Sequence, residues 1–326
     1  MPLHEFEVIT RYFSQTFPHR ADVVLGIGDD AALCVAPAGM QLAITIDTLV
    51  AGVHFSPTTA PKDIGYKALA VNLSDMAAMG AIPAWMTLAL TCPPTTNENW
   101  LADFSYGLRE LAEGYQVSLI GGDTTTGPLT ITLQVIGLVP WQAALCRHGA
   151  RPGDGIYVTG TLGDAGLGLA LIQQQLSLPV SVQHVVESRL NRPTPRLQEG
   201  QALRGIANSA IDISDGLIAD LGHILAASQV GASIYLEQLP LSNALRDHLP
   251  LEDAWQLALT AGDDYELCFT VPQRQEEALS KALLTAAYTR IGIIEKLPGL
   301  RCFDANGQAF TPKNQGYQHR FNFEPN

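Results

Sequence analysis

Basic residues and long apolar runs are scarce in this sequence of 326 residues. Lysine and arginine together number 19 against 32 aspartates and glutamates, which gives a formal net charge of -13. So acidic a surface disfavours nucleic acid and anionic membranes, and we expect neither as a partner. No apolar run approaches the ~20 residues of a membrane-spanning helix, and the N-terminal stretch carries acids where a signal peptide carries bases. The sequence therefore predicts a cytoplasmic protein.

Cysteine pairs and several well-known enzyme motifs are also missing. The 5 cysteines lie far apart and form no CxxC pair, so neither a disulfide framework nor a structural zinc site is expected. There is no GxxxxGK[ST] loop, no HRD and DFG pair and no GxSxG elbow, which argues against P-loop, protein-kinase and serine-hydrolase chemistry. The segment 26–31, GIGDDA, formally fits a dinucleotide fingerprint, but its two aspartates would face the pyrophosphate and we reject that interpretation.

The length indicates two lobes, and a hydrophobic share of 47% supplies enough apolar material for both cores. Apolar periodicity predicts mixed α/β structure in each lobe. The turn-rich stretch 141–154 predicts a boundary near 147, between a domain of residues 1–146 and one of residues 147–326. In the first domain we expect helices at 5–17, 61–79 and from Asn97 or Asn99 to 115, and strands at 23–27, 32–36, 42–46, 85–92, 117–124 and 129–139.

The second domain is expected to carry shorter elements. Strands are predicted at 156–160, 231–239, 265–271 and 290–297, and helices at 162–175 and 281–288. Asn306 and Gly307 favour a type I′ turn, which predicts a hairpin over 303–310.

Aspartates in short motifs with glycine or serine are the most informative feature. Asp47 follows the apolar run AITI, Asp75 lies inside an apolar helical stretch, and Asp212 ends a strand. Buried carboxylates without counter-charges are costly, and no basic residue stands beside these three. Oxygen ligands select hard cations, Mg²⁺ ahead of Ca²⁺. Gly121–Thr124 and Ser214–Gly216 offer free backbone N–H groups for a phosphate, so the pattern predicts metal-assisted phosphoryl transfer on carboxylates that converge from both lobes.

Six segments, in order, resemble the thiamine-monophosphate kinase family: GIGDDAA, TIDTLVAGVHF, AVNLSDMAAMGAIP, LIGGDTT, IDISDGLIADLGHI and AGDDYELCFT. The resemblance implies the two-lobed PurM-like α/β architecture of the aminoimidazole ribonucleotide synthetase relatives, with mixed sheets and an N-terminal sheet that pairs across a homodimer. It also implies that ATP and thiamine monophosphate react by direct in-line transfer, assisted by several Mg²⁺ ions. Because the acceptor phosphate has a second pKa of about 6, no dedicated catalytic base is needed.

The resemblance further implies roles for individual residues. The Mg²⁺ ligands would be Asp30, Thr45, Ile46, Asp47, Asp75, Asp123, Asp212 and Asp215. ATP would contact Gly122, Asp123, Arg147, Ser214 and Tyr106, and thiamine monophosphate would contact His54, Asp263 and Tyr317. Two positions depart from the family pattern. Ile46 replaces a hydroxyl residue and offers only its backbone carbonyl, and Asp263 replaces a glutamate and is one methylene shorter.

Two alternatives stay open. The first is another enzyme of the same architecture, such as a selenophosphate synthetase or the hydrogenase-maturation dehydratase, although the reactive cysteines typical of those proteins are missing here. The second is a non-catalytic protein that binds a nucleotide or Mg²⁺.

Overall fold

The computed structural model describes residues 5–14 and 16–317, which form two compact units. The first unit runs up to Leu145 and also includes Asn191–Gly205; the second consists of Cys146–Leu190 and the chain from Ile206 onwards. A single domain boundary near residue 147 therefore does not account for residues 191–205, which belong to the first unit. In the described ranges no helix is long and apolar enough to cross a membrane.

The first unit is built on a four-stranded sheet with the strand order β3-β6-β4-β5. β3, β6 and β4 pair antiparallel, β5 runs parallel to β4, and β1 and β2 form a separate antiparallel pair. The N-terminal helix α1 continues as a π-helix over Ile9–Ser14. The elements of this unit, numbered along the whole chain, are α1 (Glu5–Val8), β1 (Val23–Leu25), β2 (Leu33–Cys34), β3 (Met40–Val50), α2 (Pro61–Ala78), β4 (Ile82–Cys92), α3 (Glu98–Tyr115), β5 (Ser118–Thr126), β6 (Thr130–Pro140) and α6 (Leu197–Ala202).

The predicted helices α2 and α3 are confirmed. α2 begins at Pro61, which needs no N–H donor in the first turn, and the side chain of Asn97 caps α3 by accepting from the Trp100 N–H at 2.9 Å. Most of α2 is buried, Asn72 and Ser74 included. The strand predicted at 42–46 extends to Val50, so Asp47 lies inside a strand rather than after one.

Arg192 attaches the returning segment to the first unit. Its guanidinium lies 4.0 Å from the centre of the Tyr66 ring and pairs with Asp63 at 3.1 Å and with Glu110 at 2.5 Å. These contacts join residues 191–205 to α2 and α3.

The second unit is built on a seven-stranded sheet with the order β13-β12-β9-β11-β7-β10-β8. All its neighbouring strands are antiparallel except β9 and β12. A core of buried aliphatic side chains such as Ile156, Ile211 and Ile234 fills this unit. Its elements are β7 (Gly155–Thr159), α4 (Asp164–Ile172), α5 (Val180–Asn191), β8 (Ser209–Asp212), α7 (Leu217–Ser228), β9 (Gly231–Tyr235), α8 (Asn243–His248), α9 (Leu251–Thr260), β10 (Leu267–Val271), α10 (Glu276–Ala282), β11 (Tyr288–Glu295), β12 (Gly299–Phe303) and β13 (Ala309–Phe310), with short 3-10 helices at Leu236–Gln238 and Gln273–Gln275.

Two local predictions for this unit need correction. The helix predicted at 281–288 lies instead at Glu276–Ala282, where two acids in the first turn favour a helix start, and Tyr288 already belongs to β11. The hairpin over 303–310 is confirmed, but its turn is not type I′. Gly307 has a φ of 74° while Asn306 is outside the left-handed region, because the Asp304 carboxylate organises the loop by accepting from the Asn306 and Gln308 N–H groups.

Candidate functional site

Thr45, Asp47 and Asp75 form the first group of predicted site residues. Successive side chains of a strand alternate between its two faces. Thr45 and Asp47 lie on the partly covered face of β3, which packs against α2, whereas Ile46 lies on the exposed face. The Thr45 hydroxyl donates to the Asp75 carboxylate, which α2 supplies. The side chain of Ile46 is thus on the opposite face from this group, and only its backbone carbonyl remains as a ligand.

The two carboxylates of this group influence each other. Burial is the larger cause and the negative charge of Asp75 the smaller cause of a rise in the pKa of Asp47 to about 7. Two carboxylates and a hydroxyl, partly withdrawn from water, form a donor set made of oxygen alone. Such a set suits a hard divalent cation, whose charge would keep both carboxylates ionised.

Asp30, Gly122 and Asp123 form a second group that lines a cavity of about 650 Å³. The loop 27–32 and the strands β4 and β5 supply one part of the lining, and the N-terminal helical segment supplies apolar side chains from Phe6, Ile9 and Phe13. The Asp29 carboxylate accepts from the Asp30 N–H at 2.8 Å, which fits a role within its own turn. A Cβ at Gly122 would lie 1.9 Å from the Leu88 carbonyl oxygen, so only glycine fits there.

One row of paired residues across the sheet separates these two groups. Asp47 pairs with Leu133, Leu133 with Leu88, and Leu88 with Gly122. Three interstrand spacings amount to about 14 Å. Among the residues that the structure describes, no group of three or more His, Cys, Asp or Glu is arranged to hold a metal ion. In the described part of this unit, the candidate metal ligands therefore lie as separate groups rather than as one preformed cage.

His54 and Tyr106 lie elsewhere in the first unit. The Nδ1 atom of His54 accepts from the Val50 N–H at 3.0 Å, and this bond fixes the orientation of the imidazole ring. Lys67, which is only 2% exposed, donates to the His54 carbonyl at 3.4 Å. A lysine in an alanine-rich helix gives no sequence signal of such burial. Tyr106 is half-exposed on α3, beside the Arg109 guanidinium, and does not line the cavity.

In the second unit, Asp212 ends β8, and the loop that follows carries Ser214 and Asp215. The Asp220 carboxylate, on the first turn of α7, accepts from the N–H groups of Ser214, Asp215 and Gly216 at 3.0 to 3.1 Å. The expectation of free N–H groups at 214–216 is therefore wrong. The Ser214 hydroxyl and the Asp215 carboxylate are the polar side-chain groups of this loop.

Asp220 is itself electrostatically unusual. Burial is the main cause that raises the pKa of Asp220 to about 7, and the charge of Asp215 adds to this rise. The three backbone hydrogen bonds act in the opposite direction and lower the pKa. From the sequence alone, an aspartate at the start of a helix is expected to have only a capping or turn role. Its place within SDGLIAD, at the start of a helix, is the signal that identifies it as the organiser of the loop.

The two predicted substrate contacts of the second unit lie against the backbone of this same loop. The Asp263 N–H donates to the Ser214 carbonyl and the Tyr317 N–H to the Asp215 carbonyl, each at 2.9 Å. Tyr317 is exposed and Asp263 partly exposed. The structure thus brings together Asp212, Ser214, Asp215, Asp263 and Tyr317.

Arg147 lies on an exposed loop at the start of the second unit. The Ser228 hydroxyl accepts from the N–H groups of Gly149 at 3.1 Å and Ala150 at 3.2 Å, and so fixes this loop to the end of α7. Arg147 has no ion pair with any residue in the described ranges, and its guanidinium is available to an anionic ligand.

The sequence matches two family domains. Residues 28–139 match the N-terminal domain of AIR synthase related proteins, and residues 151–304 match their C-terminal domain. The thiamine-monophosphate kinase of Escherichia coli K12 is 52% identical over 98% of this chain and 99% of that protein, and the enzyme of Bacillus subtilis 168 is 36% identical over 97% and 99%.

Solved structures agree with these matches. The thiamine-monophosphate kinase of Stenotrophomonas maltophilia superposes with a TM-score of 0.82 at 47% identity, covering 89% of this chain and 93% of that one. AaThiL complexed with AMPPCP and TMP superposes with a TM-score of 0.76 at 30% identity, covering 98% and 99%. The resemblance and the PurM-like fold class inferred from the sequence are both confirmed, and the chain belongs to the thiamine-monophosphate kinase family.

Proposed function

We propose that this protein transfers the γ-phosphoryl group of ATP to thiamine monophosphate and releases ADP and thiamine diphosphate. The observation that carries this proposal is the 52% identity to a thiamine-monophosphate kinase over 98% of the chain. The complex of AaThiL with AMPPCP and TMP supports the pairing of an ATP-like donor with a thiamine phosphate. A cytoplasmic location stays a prediction from the sequence.

A direct transfer fits the side chains of the site. An oxygen of the acceptor phosphate attacks the γ-phosphorus, and the bond to the bridging oxygen of ADP breaks. At neutral pH that acceptor is mostly dianionic, so no side chain has to remove a proton. The residues of this chain then have to orient two anions and neutralise charge. Arg147 and the Ser214 hydroxyl would bind the nucleotide phosphates, and Asp263 and Tyr317 would contact the thiamine moiety.

The oxygen donors of the candidate site fit Mg²⁺. Asp47 and Asp75, with the Thr45 hydroxyl between β3 and α2, would hold one ion, and Asp30, Asp123, Asp212 and Asp215 are the further candidate ligands. When bound, Mg²⁺ would neutralise the negative charge of the phosphoryl oxygens.

An assay of acceptor specificity tests the proposed function. With ATP and Mg²⁺ present, ADP release is measured with thiamine monophosphate, with thiamine and with a simple phosphate monoester. We expect release only with thiamine monophosphate, in equal amounts with thiamine diphosphate. ATP binding without any release that depends on thiamine monophosphate would support the non-catalytic alternative, and release with a different acceptor would support another enzyme of the same architecture.

The stability of the metal-free protein is expected to fall as the pH rises. Asp47 and Asp220 have folded-state pKa values of about 7, above the usual value of 3.8, so the folded state binds more protons than the unfolded state between these values. Their stabilisation is complete below the unfolded pKa and is lost as the pH rises through the folded pKa. With a chelator present, we expect Tm to fall by about 5 °C between about pH 5 and pH 8.

Thermal unfolding over this pH range, with and without Mg²⁺, checks that expectation. Mg²⁺ should restore much of the lost Tm at the higher pH, because it binds the ionised carboxylates. Asp47→Asn should reduce the fall of Tm with pH in the metal-free protein but not abolish it, since Asp220 still titrates. A Tm that rises over the same pH range without Mg²⁺ would contradict the assignment.

We infer that the protein is a homodimer and that the exposed face of β3 is its interface. β3 is an edge strand of its sheet, and its exposed face carries Leu42, Ile44 and Ile46, which are 50%, 60% and 59% exposed. A long edge strand with an uncovered apolar face is a liability that proteins normally cover. A second copy of the same sheet supplies such a cover.

A charge on this face should separate the two subunits. We expect Ile44→Lys to shift the mass measured by light scattering from that of two chains to that of one. Leu284→Lys is the matched control, because Leu284 is a leucine of the second unit that is 81% exposed and lies outside β3. A wild-type protein that is a monomer at micromolar concentration, or a dimeric Ile44→Lys variant, would contradict the inferred interface.

A further inference from the structure

The segment between α9 and β10 has an uncommon backbone conformation. Asp263 has a φ of 67° and Tyr265 a φ of 49°, both in the left-handed region that residues with side chains rarely adopt. Two such residues within three positions persist only where the surroundings enforce them. Asp263 is the residue that our proposed function places against thiamine monophosphate.

Backbone contacts enforce part of this conformation. Asp263 and Tyr265 donate their N–H groups to the carbonyls of Ser214 and Ile213, and the Ile213 N–H donates to the Glu266 carbonyl, at 2.8 to 2.9 Å. A Cβ at position 262 would lie 2.5 Å from the Ser214 carbonyl oxygen. The backbone of residues 262–266 therefore packs directly against the backbone of the loop after β8.

A buried ionic cluster lies directly next to this segment. The carboxylates of Asp164, Asp264 and Glu266 are 2%, 1% and 0% exposed. The Arg189 guanidinium, from α5, lies 2.9 Å from Glu266 and 3.9 Å from Asp164. The hydroxyl of Thr159, on β7, donates to the second oxygen of Glu266 at 2.6 Å. α4, α5, β7 and the segment 262–266 thus meet at this cluster.

The cluster is not optimised for stability alone. One oxygen of Asp264 accepts from the Gly163 N–H at 2.7 Å, but the other is buried without a hydrogen-bond partner among the described residues, as is the Nε of Arg189. Buried ion pairs with unsatisfied atoms are often less stabilising than well-packed apolar side chains. A role in fixing one conformation explains why such groups are present.

We propose that Arg189 and Glu266 are positioning residues that hold Asp263 in the conformation in which it contacts the thiamine moiety of the substrate. Their ion pair and the bonds to Ile213 fix the Glu266 end of the segment, and the bond to the Ser214 carbonyl fixes the Asp263 end. Asp263 lies at the Ser214 end of the segment and its side chain remains partly accessible. A carboxylate so placed suits the cationic thiazolium ring of thiamine rather than its phosphate. This proposal depends on the proposed function.

The nucleotide contacts of the same loop are anchored separately. Asp220 holds the N–H groups of Ser214, Asp215 and Gly216, and none of these bonds involves Arg189 or Glu266. Loss of the Arg189–Glu266 pair should therefore affect thiamine monophosphate more than ATP. This difference distinguishes a positioning role from a general structural one.

The test measures kcat, KM for each substrate and Tm for Arg189→Met and Glu266→Gln, which remove one charge each. Glutamine keeps the volume of glutamate, and methionine replaces the unbranched stem of arginine. We expect KM for thiamine monophosphate to rise by about tenfold, with KM for ATP changed by less than about twofold. Arg189→Lys should restore part of the affinity, because it keeps the charge but not the planar geometry. Arg290→Met is the matched control, since Arg290 pairs with Glu276 on the surface of the same unit.

The remaining outcomes are distinguishable. An unchanged KM for thiamine monophosphate, or equal rises for both substrates, overturns the positioning role. If Arg189→Met does not fold, Glu266→Gln and Arg189→Lys decide by the same criterion. Asp263→Ala serves as the reference and should raise KM for thiamine monophosphate at least as much as Arg189→Met. No activity with thiamine monophosphate in the wild type, or a wild-type KM in Asp263→Ala, overturns the proposed function or its site and the positioning role with it.

Discussion

Asp75→Asn is expected to lower kcat by about 100-fold to 1000-fold while the chain stays folded. Asparagine keeps the volume of Asp75 and an oxygen that accepts from the Thr45 hydroxyl, so the contact between α2 and β3 survives. The variant loses the negative charge that would hold Mg²⁺ against the phosphates. Steady-state kinetics at saturating ATP, thiamine monophosphate and Mg²⁺ measure the effect.

Asp47→Asn should show a similar loss, because both carboxylates belong to one group. Its Tm without metal at neutral pH should rise, since the buried charge beside Asp75 is gone. Asp103→Asn, an exposed aspartate on α3, is the matched control and should leave kcat unchanged. Near-normal turnover in both Asp75→Asn and Asp47→Asn would contradict the assignment of this group.

Asp220→Ala is expected to have the second large effect. The variant leaves three N–H groups of the loop after β8 without their acceptor, and a buried unsatisfied donor costs about 1 to 3 kcal/mol. We expect the free energy of unfolding to fall by about 3 kcal/mol and KM for ATP to rise by about tenfold, because the loop carries Ser214 and Asp215. Denaturant unfolding and steady-state kinetics measure the two effects.

Two further variants identify the cause. Asp220→Asn keeps an oxygen acceptor in the same place and should retain most of the stability and the ATP affinity. Asp304→Ala removes a carboxylate that accepts from two N–H groups of the β12–β13 hairpin and should leave KM for ATP unchanged. If Asp220→Ala binds ATP as well as the wild type does, Asp220 has no part in organising the nucleotide contacts.

Local chemistry explains which parts of the fold could be predicted. A proline at the start and an apolar period of a helix define α2, and an asparagine cap defines α3. The helix predicted at 281–288 was wrong. The segment KALLTAAY is rich in alanine and leucine, which favour a helix, whereas the pairing of Tyr288 with Thr159 places its end in the sheet. The strand predicted at 42–46 was also too short, because the carboxylate of Asp47 interrupts the apolar pattern although the strand continues to Val50.

The candidate site was predictable as a set of residues but not as an arrangement. The aspartates stand out because they interrupt apolar segments, and Asp75 and Asp212 lie where this pattern placed them. The Asp220 carboxylate accepts from the N–H groups of residues 214–216, and this contact depends on the direction in which α7 begins after the loop. The position of Arg189 beside Glu266 joins residues 77 positions apart, a contact that no local pattern contains.

The most direct test follows the γ-phosphate itself. Wild-type protein is incubated with ATP labelled at the γ-phosphorus, thiamine monophosphate and Mg²⁺, and both products and protein are analysed after rapid quenching. Direct transfer predicts that the label appears in the terminal phosphate of thiamine diphosphate and that the protein carries none at any time. Label held covalently by the protein, or label released as inorganic phosphate without thiamine diphosphate, would contradict it.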